Sequence, residues 1–299
     1  MIGTLKNWFY YFIGIGFLIL SNLRYRILGY TPKPFTLQEA QRCAEYNINV
    51  VDRWLKHLHQ YTGESINGIL KNKRILELGP GSDLEVGLYI LSKSAKEYNA
   101  IDIYNLIESV PEKFYQVFFS NLQQLNIDYL PLIEELDKKN AGDSERLNYF
   151  CCTNFDIVNA LGSKKIDIFF SNDAFEHFDD INKTIEDISA VAASKAKFIV
   201  SVDLQTHSRW IRQHDPNNIY RYPEWLYKLL SVRSSPNRVR PYAYQEALER
   251  NGWKEIKIIA ESILDEDKYT FVKKHLNKQY INEKNQMSYL SIFICATKS

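Results

Sequence analysis

Cysteine is scarce: the 299 residues hold only Cys43, Cys151, Cys152 and Cys295, two of them adjacent and the others far away. No CxxC and no metal-type Cys/His spacing occurs. Neither a disulfide framework nor a metal is therefore expected, and four thiols acting as small buried hydrophobes suit a reducing compartment. Glycine (12) and proline (9) are sparse, and there is no internal repeat or low-complexity stretch, which excludes collagen-like and disordered chains. Net charge is almost absent, with 37 Lys+Arg against 36 Asp+Glu. That average argues against a bulk polyanion binder, although it can hide offsetting patches. No recognised RNA- or DNA-binding module is present, so nucleic acid is not an expected partner. No uninterrupted apolar run reaches the ~20 residues that cross a bilayer; Leu5 to Leu23 nearly does so once Lys6, Asn7, Ser21 and Asn22 are admitted, which leaves spanning open. What is present is 45% hydrophobic residues, enough for one large or two small domains with a sizeable core.

The charges are unevenly placed. Residues 1–34 carry Lys6, Arg24, Arg26 and Lys33 and no acid. Between these basic flanks lie thirteen apolar residues, Trp8–Leu20 (WFYYFIGIGFLIL). As a helix they span about 20 Å, short of the ~30 Å hydrocarbon core. No small-x-small cleavage site of the secretory kind follows. Tryptophan, tyrosines and basic flanks suit the bilayer interface on the cytoplasmic side. The expectation is a membrane-associating segment over residues 1–34 whose contact lies within residues 1–30. The competing reading is a helix docked on the protein itself. Thr31-Pro32-Lys33-Pro34 reads as a stiff extended break.

Residues 35–72 read as a helical extension of one or two amphipathic helices. Leu37, Ala40, Ala44, Ile48, Val51, Leu55 and Leu58 recur every three or four positions. From Lys73 to the end, short apolar runs alternate with helical patterns. Strands are expected at 74–78, 98–103, 147–152, 166–171, 197–202, 254–260 and 288–296. Helices are expected near 86–93, 112–125, 132–138, 181–193, 244–251 and 268–277. This alternation predicts an α/β fold: a doubly wound, mostly parallel, seven-stranded sheet. The last two strands could form an antiparallel pair. Two insertions, 105–145 and 204–245, are placed to cover the site. The first carries Phe114, Tyr115, Val117, Phe118, Phe119 and Leu122, an apolar face for lid or dimer packing.

The first predicted strand (ILEL) runs into Gly79-Pro80-Gly81 and then a helix. In open α/β sheets ligands sit at the carboxyl ends of strands, near the switch in strand order. Glycines let the backbone approach a ligand closely. Glu77 lies two residues before Gly79, and Asp102 ends the next strand, where an acid can accept both hydroxyls of a ribose. Two cofactors meet that geometry. A nicotinamide dinucleotide wants GxGxxG around its pyrophosphate, but the third position is Leu84, and a carboxylate at Glu77 would crowd the phosphates. S-adenosylmethionine carries an ammonium and a sulfonium and no phosphate, so an acid there is favourable.

On ELGPG at 77–81, Asp102, Asn154-Phe155-Asp156 and SNDAFEHF at 171–178, the segment 73–298 resembles the class I S-adenosylmethionine-dependent methyltransferases. Ser82 departs from the pattern, since many members carry a third glycine there. The resemblance implies a Rossmann-like methyltransferase domain over 73–299. Glu77, Gly79 and Gly81 would line the methionine end of the cofactor and Asp102 would take the ribose. Asp156 would accept from the adenine amino group with Phe155 beside the ring. Asn172 and Asp173 would lie near the transferred methyl. The plain alternative is that Asp156 or Asp173 caps a helix or turn.

Methyl transfer to an alcohol needs a general base, and a histidine suits. His177 and His207 both follow strand ends, with Asp203 placed to orient His207. A structural hydrogen bond is the competing reading for either. Residues 204–245 hold Trp210, Tyr220, Tyr222, Trp225, Tyr227, Tyr242 and Tyr244. They also hold seven basic residues against Asp215 and Glu224. Flat aromatics stack on sugars and arginine forks bind anions, whereas the bland reading is a solvated basic cap. The run YRYPEWLYKLLS and the residues after it resemble methyltransferases associated with bacterial surface-polysaccharide biosynthesis. The expected function is O-methylation of a sugar or glycan-linked acceptor, possibly anionic, at the cytoplasmic face of the membrane. The rivals are an NAD(P)-dependent oxidoreductase and a non-catalytic membrane-tethered scaffold.

Overall fold

Each of the first four strands is followed by helix that returns the chain to the same end of the sheet, so the first five strands run parallel. A computed structural model describes residues 2–29 and 36–299; the expected break at 31–34 lies outside them. The strands are β1 (Arg74–Leu78), β2 (Glu97–Asp102), β3 (Leu147–Cys151), β4 (Ile166–Asn172), β5 (Ala192–Asp203), β6 (Trp253–Ile263) and β7 (Tyr289–Lys298). They form one seven-stranded sheet in the order β3-β2-β1-β4-β5-β7-β6. β7 alone is antiparallel, inserted between β5 and β6. This is the doubly wound, mostly parallel Rossmann-like sheet that the alternation predicts. The strand order reverses at β1, between β2 and β4, which puts a crevice above the carboxyl end of β1.

The helices are α1 (Ile2–Leu28), α2 (Ala40–Thr62), α3 (Glu85–Ser92), α4 (Glu112–Gln124), α5 (Leu130–Ala141), α6 (Ile157–Leu161), α7 (Ile181–Val191), α8 (Arg209–His214), α9 (Glu224–Leu230), α10 (Pro241–Arg250) and α11 (Glu266–Lys273). Side chains alternate across β1, so Ile75 joins one core layer while Leu76 and Leu78 join the other. The first layer holds α2 to α5 and the second holds α6, α7 and α10. Residues 36–70 give one long helix rather than two. Its stripe buries Trp54 face to face on Phe170 of β4, with ring centroids 4.7 Å apart.

Two expectations change, and a third core appears between β6 and β7. The apolar face of the 105–145 insertion is not left for a lid or dimer: Phe114, Tyr115, Phe118, Phe119 and Leu122 are buried, mostly against α2 and α3. The helix expected to reach 193 stops at Val191, and β5 begins at Ala192. Ala192 and Ala196 are poor strand formers, but both are buried and Ala192 pairs with Ile166, so tertiary pairing overrides propensity. The segment between β6 and β7 is not a simple connection. Leu264, Val272, Leu276, Tyr280 and Met287 form a third core with Ile219, Tyr220, Tyr222 and Tyr227 of the 204–245 insertion.

α1 is long and apolar enough, by length and composition, to cross a membrane over Leu5–Leu28. In the fold it lies along that third core. Tyr11, Ile15 and Leu18 pack on it, and a Cβ at Gly14 would fall 2.0 Å from the Tyr222 hydroxyl. Arg221 donates to Asn7, Asn218 Nδ2 to the Tyr10 carbonyl, and Asn22 Nδ2 to the Leu230 carbonyl. The opposite face stays bare: Leu5, Phe12, Leu20 and Ile27 are 62–80% exposed.

Candidate active site

The turn after β1 is set by its glycines. Gly79 and Gly81 have φ of 71° and 81°, a region that favours glycine. A Cβ on Gly79 would also lie 2.5 Å from the Cβ of Ala174, so the turn can rest against the loop after β4 only without a side chain. Above it opens a cavity of about 790 Å³ lined by Gly79, Gly81, Asp102, Phe155, Asp156, Asp173 and His177, among others. Phe155 and Asp173 hold φ of 53° and 50°. Such left-handed backbone costs on the order of 1–3 kcal/mol and persists where surrounding contacts over-determine it. Here the Asp173 amide lies 3.2 Å from Ser201 Oγ and the Phe155 amide donates to the Cys152 carbonyl.

Two of the expected cofactor residues do not reach this cavity. Asn172 accepts from Arg53 and donates to the Tyr46 hydroxyl at 2.8 Å, so it ties β4 to α2. Glu77 is 2% exposed beneath the turn, where it accepts the Tyr98 hydroxyl. Its side chain follows the inward alternation of β1 into the first core layer, which the spacing to Gly79 does not reveal. Asp156 both lines the cavity and caps α6, accepting the Asn159 amide at 3.0 Å. The capping alternative is therefore part of its role. Asp102 accepts the Tyr104 amide at 3.0 Å, which holds its carboxyl at the cavity mouth.

Burial pushes the Glu77 carboxyl up to about 8, with Asp83 and Asp102 adding like charge and the Tyr98 bond opposing. The native state then holds a proton that the unfolded chain has released. The stability Glu77 contributes is complete below about pH 4.5 and is lost as pH rises toward about 8. Glu77→Gln keeps an acceptor for Tyr98 and never charges. In urea unfolding, its stability relative to wild type should improve by roughly 3 kcal/mol between pH 5 and pH 8.5. A difference that is the same at both pH values would mean that Glu77 does not titrate in this window.

A second cavity of about 430 Å³ lies between α1 and the 204–245 segment. Its lining includes Phe17, Leu18, Leu20 and Arg24 from α1 and Thr206, His207 and Tyr227 from the insertion. Ser234 lines both cavities, while His177 faces the first and His207 the second. The two imidazoles meet edge to face with centroids 4.8 Å apart. Burial, with His207 next in importance, lowers His177 to about 4; burial and the Arg212 cation lower His207. Asp203 does not orient His207 as expected. Its Oδ2 is 3.7 Å from Nε2, beyond hydrogen-bond range, and is ion-paired at 2.5 Å with Arg212.

The cap also departs from expectation. Arg221, Arg238 and Arg240 are buried. Arg240 donates to the carbonyls of Asn285, Gln286 and Tyr289, and Arg221 pairs with buried Asp215 at 2.7 Å. These forks bind the chain's own carbonyls and acids rather than an anionic acceptor. Tyr220, Tyr222, Tyr227 and Tyr244 are core side chains as well, so they are no platform for a sugar. Charge and aromatic spacing alone cannot separate a buried network from a solvated face. Of the seven basic residues, Arg233 reaches the first cavity, where it donates to the Thr153 carbonyl at 3.1 Å.

Sequence reasoning missed Glu176. Thirty-one residues separate it from His207, but the parallel pairing of β4 and β5 brings their carboxyl ends together. Ligand-competent atoms of Glu176, His177 and His207 all lie within 4.8 Å of one another. Glu176 is 2% exposed, and burial, then Asp173, holds its carboxyl well above the usual range.

No protein-family model matches the chain, and no curated protein does. Among solved structures it is similar to the CurJ carbon methyltransferase, with 13% identity over 77% of this chain and 49% of that one and a TM-score of 0.41. It is also similar to phosphoethanolamine N-methyltransferase 2 of Haemonchus contortus in complex with S-adenosyl-L-methionine (14% identity, 85% and 52% coverage, TM-score 0.45). A third is the YcgJ protein of Bacillus subtilis (14% identity, 83% and 98% coverage, TM-score 0.40). The chain spans about half the length of the first two.

Proposed function

We propose that this chain is an S-adenosylmethionine-dependent methyltransferase acting on a hydroxyl of an amphiphilic, glycan-linked acceptor at a membrane surface. The observation that carries the reading is the pair of cavities meeting at His177 and His207. The first has the volume of a small-cofactor site. Gly79 and Gly81 leave backbone bare at its floor, Asp102 offers a carboxylate for ribose hydroxyls, and Phe155 and Asp156 offer a ring and an acceptor for adenine. When bound, S-adenosylmethionine supplies an activated methyl group with its own leaving group. The protein's part is to hold the acceptor oxygen in line with that carbon and to exclude water. The histidine pair stands where the two cavities adjoin, which supports an acceptor hydroxyl bound at that junction. The sugar identity of the acceptor head rests on the sequence resemblance alone.

The second cavity favours an acceptor with an apolar portion, because Phe17, Leu18 and Leu20 line it from α1. α1 is fixed to the cap at Asn7, Tyr10 and Asn22. Those contacts span some four turns, so α1 cannot cross a bilayer without dragging the polar cap into hydrocarbon. The geometry fits a helix lying in the interface plane, apolar face down, with exposed Arg26 near its end available to anionic headgroups, while Lys6 lies over the Tyr10 and Phe271 rings and Arg24 borders the second cavity.

Calorimetric titration of the full chain should show one S-adenosylmethionine site and none for NADH or NADPH. Nicotinamide binding without S-adenosylmethionine binding overturns the reading in favour of an oxidoreductase. Cofactor binding with no S-adenosylhomocysteine formed from any membrane-lipid or glycolipid fraction favours the scaffold.

A further inference from the structure

We propose that Glu176, His177 and His207 form a binding site for a divalent first-row transition ion between the two cavities. The 3-10 turn Phe175–His177 after β4 presents the carboxylate and one imidazole. The chain leaving β5 presents the other imidazole. Glu176 Oε1 is 3.9 Å from His207 Nε2, and all three ligand atoms lie within 4.8 Å of one another. Rotamer adjustments of about an ångström would bring them to the ~2.0–2.2 Å bonds of such an ion.

A second observation points to a ligand. Glu176 Oε2 and His177 Nδ1 are buried and have no hydrogen-bond partner among the described residues. A carboxyl oxygen taken out of water without a partner is costly, and a cation that displaces the proton of the acid is one of the few groups that satisfies it. No amide or hydroxyl is bonded to Oε2, and no lysine or arginine is ion-paired with Glu176 among the described residues; His207 Nε2 lies 3.9 Å from Oε1. The arrangement fits a catalytic dyad poorly, because the available orienting acid, Asp203, is paired with Arg212. Asp203 Oδ2 lies 3.7 Å from His207 Nε2 at the edge of the cluster, its charge offset by Arg212.

Two imidazoles and one carboxylate suit manganese, iron, cobalt or zinc better than magnesium or calcium, which prefer all-oxygen sets. Three protein ligands leave coordination positions open, and these face the cavity junction. The catalytic consequence rests on the methyltransferase reading; the binding itself does not. An acceptor hydroxyl bound to the ion loses its proton to water more readily. Its oxygen then forms the new bond to the methyl carbon as the carbon–sulfur bond breaks, and that electron pair stays on sulfur.

The test is manganese binding to the full chain after chelator stripping, followed by the loss of the free Mn²⁺ paramagnetic resonance signal. Cobalt absorption in the visible gives a second readout. One Mn²⁺ per chain is expected, with affinity at least tenfold weaker in Glu176→Gln and in His207→Ala. His207 is a third exposed, so its variant stays informative if Glu176→Gln fails to fold. S-adenosylmethionine titration of the same samples separates the two readings: His207→Ala should lose Mn²⁺ while keeping the cofactor. No saturable binding of Mn²⁺, Co²⁺ or Zn²⁺ up to millimolar concentration, or equal affinity in folded His207→Ala, overturns the site.

Discussion

Asp102→Ala should weaken S-adenosylmethionine binding by at least about 10²-fold and reduce product formation in proportion. The carboxylate ends β2 at the mouth of the larger cavity, with Oδ1 held by the Tyr104 amide. A ribose diol there would give it two charge-assisted hydrogen bonds, each worth about 1.5–3 kcal/mol. Losing both removes at least roughly 3 kcal/mol, and every 1.4 kcal/mol is about tenfold in affinity. Asp102→Asn keeps one acceptor oxygen and should lose only about tenfold. The strand end is partly exposed and loses one backbone bond, so thermal unfolding should shift little. Calorimetry on both variants checks the order wild type, Asn, Ala. Unchanged affinity in Asp102→Ala would place the cofactor elsewhere or remove it.

That position was legible because its signal is local. The runs ILEL and YNAID are strands buried on both faces, and the acid stands where β2 must end. The same holds for the glycine turn, since φ of 71° and 81° demands a residue type visible in the sequence. Long-range pairing was not legible. α2 covers α4, yet nothing in either helix names the other, so the aromatic face of α4 read equally well as lid or dimer surface. Arg240 and Arg221 read as solvated cations because their partners, three carbonyls near 285–289 and Asp215, are fixed only by the fold. Glu176 was passed over for a related reason. His177 and His207 each read singly as a base, and only the parallel register of β4 on β5, with Asn172 opposite Ser201, brings the Glu176 carboxyl within 4 Å of His207.

Phe12→Asp combined with Leu20→Asp should lower partition onto anionic phosphatidylglycerol vesicles by at least about 10²-fold, with cofactor affinity and thermal midpoint unchanged. Both side chains are more than 60% exposed on the bare face of α1 and belong to neither the third core nor the Gly14 contact with Tyr222, although Leu20 also borders the second cavity. Removing each apolar side chain from the interface costs roughly 1.5–3 kcal/mol, before the new charges are counted. The two together therefore exceed the ~3 kcal/mol that a 10²-fold change needs. High salt should weaken wild-type binding only in part. It screens the exposed cations near the end of α1, Arg24 and Arg26, worth about 1 kcal/mol each near an anionic surface, but not the apolar contact. Deleting residues 1–30 is a blunter change: it also uncovers Tyr222 and Ile219, so lost vesicle binding would come with lost stability. The double substitution avoids that coupling. Undiminished partition would mean that the bare face does not enter the lipid. A shift in oligomeric state without a change in vesicle binding would assign that face to a second copy of the chain. Loss of partition at constant cofactor affinity would tie the second cavity, through Phe17, Leu18 and Leu20 beside that face, to the membrane surface from which an amphiphilic acceptor arrives.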